Sequence, residues 1–357
     1  MANAYGDFLL YGATGYTGEL IARRIAAAGL RPVLSGRNAQ SVGALAKELD
    51  LPHVIADVNN AASLDKAIGA IRSARRLVLN CAGPFSRTAD QVSDACLKNG
   101  AHYLDITGEI GVFEMLAQKD ARAKNMDVML LPGVGFDVVP SDCLAAHVAR
   151  HLPSATRLVI AIHAGSRISR GTALTSLENM GKGGAVRRSG RIERVPGAWK
   201  DRSVDFGSGP IRVTTMPWGD VATAWYSTRI PNIDVYMAIP DGMRRLLKLG
   251  KFALPIVSSR PVRAVIASRI RKGPPGPTKE HREVGMSRFW AQVSDDKGAR
   301  FGAKLFGPEG YELTVRTAVE CVNRTLRGLA KPGFQTPSLA FGPDLILSID
   351  GVRRQDD

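Results

Sequence analysis

Three glycines at three-residue spacing, in Gly12-Ala13-Thr14-Gly15-Tyr16-Thr17-Gly18, stand between the apolar run Phe8-Leu9-Leu10-Tyr11 and a stretch with Leu20, Ile21, Arg24, Ile25 and Ala28 at helical spacing. Strand, glycine turn and helix in that order can hold a pyrophosphate. The early glycines permit a tight turn and close approach of the ligand, the last lets helix and strand pack closely, and the helix N-terminus offers unpaired N–H groups to an anion. The same turn also occurs without a ligand; its place at the head of a strand–helix series favours binding here. Gly12, Thr14, Gly15, Tyr16, Thr17 and Gly18 are the first candidate cofactor contacts.

The next apolar run, Pro32-Val33-Leu34-Ser35, ends in Gly36-Arg37-Asn38. An NAD-selective site carries an Asp or Glu about 20 residues after the glycine turn, to bind the ribose 2′-OH. No carboxylate stands here. Ser35, Arg37 and Asn38 can instead offer hydrogen bonds and positive charge to a 2′-phosphate, so NADP(H) is expected over NAD(H). Strands and helices continue to alternate through Leu79-Asn80, which predicts a doubly wound parallel sheet with its ligand beyond the carboxyl ends of the strands. Asp57 and Val58 should then border the adenine, and Cys81, Ala82, Gly83, Pro84 and Phe85 the nicotinamide. Asp57 has an equal alternative as a helix cap.

Acid–base candidates follow in the same half: Tyr103, Asp105 and Glu109, then Asp137 and Asp142 in a glycine–proline loop. Tyr103, Asp105 and Asp137 are taken as the candidate catalytic residues, against capping or core roles for each. No tyrosine has a lysine four residues on, which disfavours the short-chain dehydrogenases, and Gly181-Lys182-Gly183 lacks the Ser or Thr of a phosphate-binding P-loop. His147 and His151 have metal-ligand spacing on a predicted helix but lack a third ligand, so a solvated helix face and no metal are expected. Thr172, Thr175 and Ser176 are candidate substrate contacts, with helix capping as the alternative.

Asn80-Cys81-Ala82-Gly83-Pro84-Phe85, Tyr103-Leu104-Asp105-Ile106-Thr107-Gly108-Glu109, Gly135-Phe136-Asp137-Val138-Val139-Pro140-Ser141-Asp142, Arg170-Gly171-Thr172-Ala173-Leu174-Thr175-Ser176, Gly310-Tyr311-Glu312-Leu313-Thr314 and Pro332-Gly333-Phe334-Gln335-Thr336-Pro337 occur in that order. Together they resemble the saccharopine dehydrogenase-like NAD(P)-binding family, closest to its trans-acting enoyl reductase group. The resemblance spans most of the chain but leaves about 185–270 unmatched. It implies a Rossmann domain, a central α/β domain carrying an antiparallel sheet, and a C-terminal segment returning to the first domain. It fixes no substrate.

The elements that must position these residues occupy 357 residues, enough for about two domains. The expected layout is an NADP-binding Rossmann domain over 1–132, a substrate or dimerisation α+β domain over 133–330, and a returning segment over 331–357. In the second half, 157–163, 211–215, 224–228 and 233–239 read as strands, and 289–293 with 300–305 as a hairpin, which together predict a mainly antiparallel sheet. Cys81, Cys96, Cys143 and Cys321 form no C-x-x-C pair. A reducing, cytoplasmic setting is expected, and no apolar run reaches the roughly 20 residues of a membrane span.

Lysines and arginines outnumber acids 48 to 33, a net charge of +15. No acid falls between Met243 and Lys279, where basic residues punctuate apolar ones. Residues 243–272 are a candidate peripheral membrane contact or lid, against a plain solvated face. No DNA-binding motif accompanies the charge, so no nucleic-acid partner is expected. The residues thus point to an NADP(H)-dependent oxidoreductase reducing a C=C or C=N bond in a small or lipid-like substrate, as a candidate homodimer. The rival is a catalytically silent NADP(H)-binding sensor or membrane-surface scaffold.

Overall fold

Short apolar runs become strands in the first half because helices cover both faces of a parallel sheet, so neither face needs polar residues. The computed structural model describes residues 8–165, 168–179, 183–245, 247–248 and 259–357. The chain forms two units, Met1–Val139 with Leu313–Gly342, and Pro140–Glu312 with Pro343–Asp357.

The first unit runs β1 (Leu9–Tyr11), α1 (Tyr16–Ala27), β2 (Val33–Gly36), α2 (Ala39–Leu49), β3 (His53–Ile55), α3 (Ala61–Gly69), β4 (Leu77–Asn80), α4 (Ala89–Lys98), β5 (His102–Asp105), α5 (Ile110–Ala117), α6 (Asp120–Asn125) and β6 (Met129–Leu131). Asn38 and Asn60 start α2 and α3 by accepting from the N–H of Ser41 and Ser63. The apolar stripes Val42, Leu45, Ala46 and Leu64, Ala67, Ile68 are buried. The strands order 6-5-4-1-2-3, all parallel, and β1 pairs with both β2 and β4. That is the switch point at which an open α/β sheet leaves a crevice for a ligand.

The second unit contains α7 (Val139–His151), β7 (Arg157–Ala164), α8 (Arg170–Asn179), β8 (Gly184–Arg188), β9 (Arg191–Val195), β10 (Asp201–Asp205), β11 (Pro210–Thr215), α9 (Asp220–Thr228), β12 (Asn232–Met237), α10 (Arg260–Lys272), α11 (Lys279–Val284), β13 (Met286–Ser294) and β14 (Arg300–Pro308). The expected hairpin is β13 with β14, paired from Met286↔Pro308 to Ser294↔Arg300. Only β7 and β12 pair in parallel; the other pairings in this sheet are antiparallel.

The division of the chain departs from the 1–132, 133–330 and 331–357 layout. The chain rejoins the first unit at Leu313, within α12 (Gly310–Arg324), adds β15 (Gly333–Phe334) beside β6, and passes α13 (Pro337–Phe341). From Pro343 it belongs to the second unit again, where β16 (Arg353–Asp356) pairs with β14.

Two local readings are corrected. Residues 224–228, expected as a strand from Trp225, Tyr226 and Thr228, lie in α9, where the Ser227 and Thr228 hydroxyls donate back to the Thr223 and Ala224 carbonyls at 3.1 and 2.6 Å. His147 is 2% exposed rather than on a solvated face. Its Nε2 lies 2.7 Å from Asp356 Oδ1 and its Nδ1 3.0 Å from Arg150 Nη2, while His151 stacks on Phe301 with ring centroids 4.3 Å apart. The sequence could not show this because β16 returns to α7 from the far end of the chain. Of the basic stretch, residues 246 and 249–258 lie outside the described residues; Arg244 pairs with Asp241 and Lys248 with Asp201, and Val265 of α10 is exposed. No helix among the described residues is long and apolar enough to cross a membrane.

Asp356→Ala leaves His147 Nε2 buried without its carboxylate and should lower unfolding stability by about 1–3 kcal/mol. Chemical denaturation checks this; an unchanged midpoint would show that β16 is held by its ladder alone.

Candidate functional site

The glycine turn brings three backbones together. Gly12 has φ +80°, and a Cβ there would sit 2.6 Å from the Ala82 nitrogen, in the loop that follows β4. A Cβ on Gly18 would sit 2.2 Å from the Gly12 carbonyl oxygen. Both glycines are therefore required by the fold itself. Gly15 is different: it is exposed, its φ of −73° suits any residue, and a Cβ would come no nearer than 3.4 Å to the chain. Its missing side chain leaves open the space above the N-terminus of α1, where no side chain caps the helix. This cradle fits a pyrophosphate. Thr14, Tyr16 and Thr17, all partly exposed, surround it.

At the end of β2, the Ser35 carbonyl accepts from Gly12 and Ala13 N–H at 2.8 and 3.1 Å, which ties the turn to its neighbour strand. Its hydroxyl is fully buried and lacks a hydrogen-bond partner among the described residues. Arg37 is exposed and has neither a hydrogen bond nor an ion pair among the described residues. Asn38 is spent as the α2 cap. Asp57 forms a turn ahead of α3, its carboxylate accepting from Asn59 N–H at 2.9 Å while Asn60 caps the helix, and Val58 is buried.

Beyond β4, Asn80 fixes the loop. Its Oδ1 accepts from Ala82 N–H at 3.0 Å, its Nδ2 donates to the Thr88 and Tyr103 hydroxyls, and Thr88 in turn donates to the Ala82 carbonyl. Glu109 accepts from the Phe85 and Ser86 N–H groups at 2.8 and 3.3 Å. Cys81, Ala82, Pro84 and Phe85 are partly exposed and Gly83 exposed, so this braced loop stands open beside Gly12. Burial pushes the Cys81 thiol far up, which leaves it an unreactive wall.

The candidate acids separate by access. Tyr103 and Asp105 are both fully buried. The Asp105 carboxylate accepts from the Tyr103 hydroxyl at 2.7 Å and from the Thr107 and Gly133 N–H groups at 2.9 Å each. Burial raises its pKa to about 6 against those three donors. The pair ties the ends of β5 and β6 together, and neither side chain reaches solvent. Both expected catalytic side chains, Tyr103 and Asp105, are thus engaged with one another inside the unit. Asp137 is half-buried, accepts no hydrogen bond among the described residues, and is raised to about 7 by desolvation. It lies over Gly108, where a Cβ would be 2.6 Å from its Oδ2. Asp142, in the second unit, accepts from Ser227 and is fully buried.

Thr172, Thr175 and Ser176 lie on α8 of the second unit. Thr172 Oγ1 is 3.1 Å from the Tyr311 hydroxyl and 3.2 Å from Ser169 Oγ, and Tyr311 OH accepts from Ser169 N–H at 2.6 Å. The hydroxyl cluster that Thr172 shares with Ser169 and Tyr311 was visible only as the Gly310-Tyr311-Glu312 motif, without a role. Thr175 is partly exposed and Ser176 exposed.

A parallel sheet in 3-2-1-4-5-6 order with this glycine cradle at its switch point defines a Rossmann-type dinucleotide-binding protein. Residues 8–131 match the family model described as the saccharopine dehydrogenase NADP binding domain. Within the first unit this stretch is similar to an NAD(P)-binding domain of the saccharopine dehydrogenase type, and the chain resembles saccharopine dehydrogenase-like proteins. It is 29% identical over 358 residues to the trans-acting enoyl reductase of Mycobacterium ulcerans, covering 84% of each protein. It is 29% identical over 154 residues to the saccharopine dehydrogenase-like oxidoreductase of Mus musculus, covering 38% of this chain. The matches to the mouse, rat and human proteins of that name span 35 to 48% of their length. The L-Glu-forming saccharopine dehydrogenase of Saccharomyces cerevisiae shares the fold, with a TM-score of 0.66 at 12% identity over 99% of this chain and 100% of that chain.

Two glycine substitutions separate folding from binding. Gly18→Ala should destabilise the protein by about 2 kcal/mol or more through the forced clash. Gly15→Ala should keep the melting temperature and weaken NADPH binding about tenfold or more. Calorimetry and thermal melts read both; equal NADPH affinity in Gly15→Ala would remove the cradle assignment.

Proposed function

We propose that the protein is an NADP(H)-dependent oxidoreductase that reduces a C=C or C=N bond in a small or lipid-like substrate, with Asp137 supplying the proton. The observation that carries the cofactor choice is the unpaired, exposed Arg37 at the end of β2, where an NAD-selective site holds a carboxylate. A guanidinium there can grip a 2′-phosphate with two parallel hydrogen bonds. The names of the relatives, an oxidoreductase and an enoyl reductase, support the reaction class.

The bound nicotinamide supplies a hydride. The chain's own part is to hold the dinucleotide along Gly12–Gly18, to frame the reaction side with the loop that Asn80 and Glu109 brace, and to deliver a proton. Addition of hydride to one atom of the double bond leaves negative charge on the other. Asp137, protonated near neutral pH, transfers its carboxyl proton there and regains one from water, so atoms and charge balance. Tyr103 and Asp105 act one layer below by fixing the loops on which Gly108 and Asp137 stand.

Arg37→Asp should lower the NADPH-to-NADH affinity ratio by at least about tenfold, or about 1.4 kcal/mol. An unchanged ratio in side-by-side calorimetry rejects the 2′-phosphate contact. Asp137→Asn should keep NADPH affinity but lower kcat about a hundredfold. The wild-type rate should fall as pH rises through about 7, and the variant should lose that limb. The stability sign follows from the same shift. Between the ordinary value of 3.8 and about 7 the native state binds the extra proton, so stability falls as pH rises across that window, and Asp137→Asn removes the fall. The assay is NADPH oxidation with a trans-2-enoyl thioester, a trans-2-enal and a cyclic imine. Tight NADPH binding with no turnover of any of them would favour the silent sensor.

A further inference from the structure

The second unit contains a cavity of about 450 Å³ that the proposed reaction does not use. One face of its sheet forms the wall. Asn232, Arg157, Ser294 and Arg300 stand side by side across β12, β7, β13 and β14. Two residues along, and therefore on the same face, come Asp234, Val159 and Gln292. The opposite phase, including Leu158, Ile160, Ile233 and Val293, is buried core. Arg188, Lys200 and Arg202 also line the cavity.

Five cations therefore share this space with Asp234 as the one carboxylate among its lining residues. That carboxylate is already engaged by Arg188 Nη2 at 2.6 Å. Arg157, Lys200, Arg202 and Arg300 have no ion-pair partner among the described residues. Aromatic rings hold two of them in place without neutralising them: Lys200 Nζ lies 4.1 Å from the Trp199 ring centre, and the Arg202 guanidinium 5.0 Å from that of Trp290. Like charges gathered in a concave wall repel one another and focus a positive potential into the cavity, and among the lining residues only Asp234 opposes it.

We propose that this cavity binds a small molecule carrying two or more phosphate groups, either free or as a lipid headgroup. Guanidinium forks and a lysine match dense phosphate charge, while Asn232, Gln292 and Ser294 add neutral hydrogen-bonding groups. Arg157 and Arg300 stand two strands apart, about 10 Å, a span suited to a short phosphate chain rather than one ion. A compact, open concavity whose Lys200 and Arg202 already lie against Trp199 and Trp290 suits a compact ligand better than a nucleic-acid strand, which needs an extended stripe and free stacking faces.

The test is calorimetry with tripolyphosphate at physiological salt on three proteins: wild type, the Arg157→Ser/Arg300→Ser double variant, and Arg37→Asp. Both cavity arginines are exposed, so the double variant should melt with wild type. Expected are micromolar binding to wild type, a loss of about thirtyfold or more in the double variant, no change in Arg37→Asp, and unchanged NADPH affinity in the double variant. Phosphatidylcholine vesicles with and without phosphatidylinositol bisphosphate identify the source. Retention on the bisphosphate vesicles that the double variant loses assigns a lipid headgroup; tripolyphosphate binding without retention assigns a free ligand. Equal tripolyphosphate affinity in the double variant overturns the proposal. So does loss confined to Arg37→Asp, which places the phosphate in the glycine cradle, or tighter, steeply salt-dependent binding to duplex DNA.

Discussion

The close approach of Gly12 and Gly18 governs the first unit. One clash-free packing of α1 on the turn after β1 and one close approach of that turn to Cys81–Ala82 set the width of the crevice at the switch point. The Ser35 carbonyl, receiving two N–H groups from the turn, locks β2 to the same geometry, and Cys81 N–H donating to the Tyr11 carbonyl locks β4. Backbone alone makes these contacts. The side chains of the turn are thereby left for the ligand, and Gly15 can be absent-sided for the ligand's sake rather than the fold's.

A second constraint lies beneath the first. Placing the Asp105 carboxylate in the core costs desolvation, which its raised pKa records, and the Tyr103 hydroxyl and two loop N–H groups offset it. Gly133 and Thr107 are held by the same oxygen, Asp105 Oδ1, so the chain segments leading to Gly108 and Asp137 have fixed starting points. Asp137 is half-buried and has no such donors among the described residues. That contrast separates the two acids: the satisfied one serves as a tie, and the unsatisfied one keeps its proton to about neutral pH.

Local pattern made much of this legible. The glycine spacing, the missing acid near Arg37, the strand–helix alternation and the β13–β14 hairpin are all signals within about 20 residues, the scale on which sequence reading works. What escaped depends on partners far away in the chain. Trp225 and Tyr226 suggested a strand because composition cannot register that neighbouring hydroxyls bond back along a helix. Tyr103 and Asp105 looked catalytic by type and position, and only their pairing with each other and with Gly133 shows a structural use. His147 looked solvated because Asp356 lies at the other end of the chain.

The charge shows the same division between composition and placement. An excess of basic residues pointed to some anionic ligand, and the acid-free stretch 243–272 was the conspicuous place to look. Within it, Arg244 and Lys248 are paired with Asp241 and Asp201, so part of that stretch is neutralised locally. Unpaired charge also gathers on residues separated along the chain and assembled by strand register: Arg157 opens β7, Arg300 opens β14, and Ser294 between them closes β13. A one-residue slip in either pairing would send an arginine to the apolar face with Leu158 and Val293. The hydrophobic phase of the sheet therefore fixes the position of the basic one, and burial of one face concentrates the charge on the other.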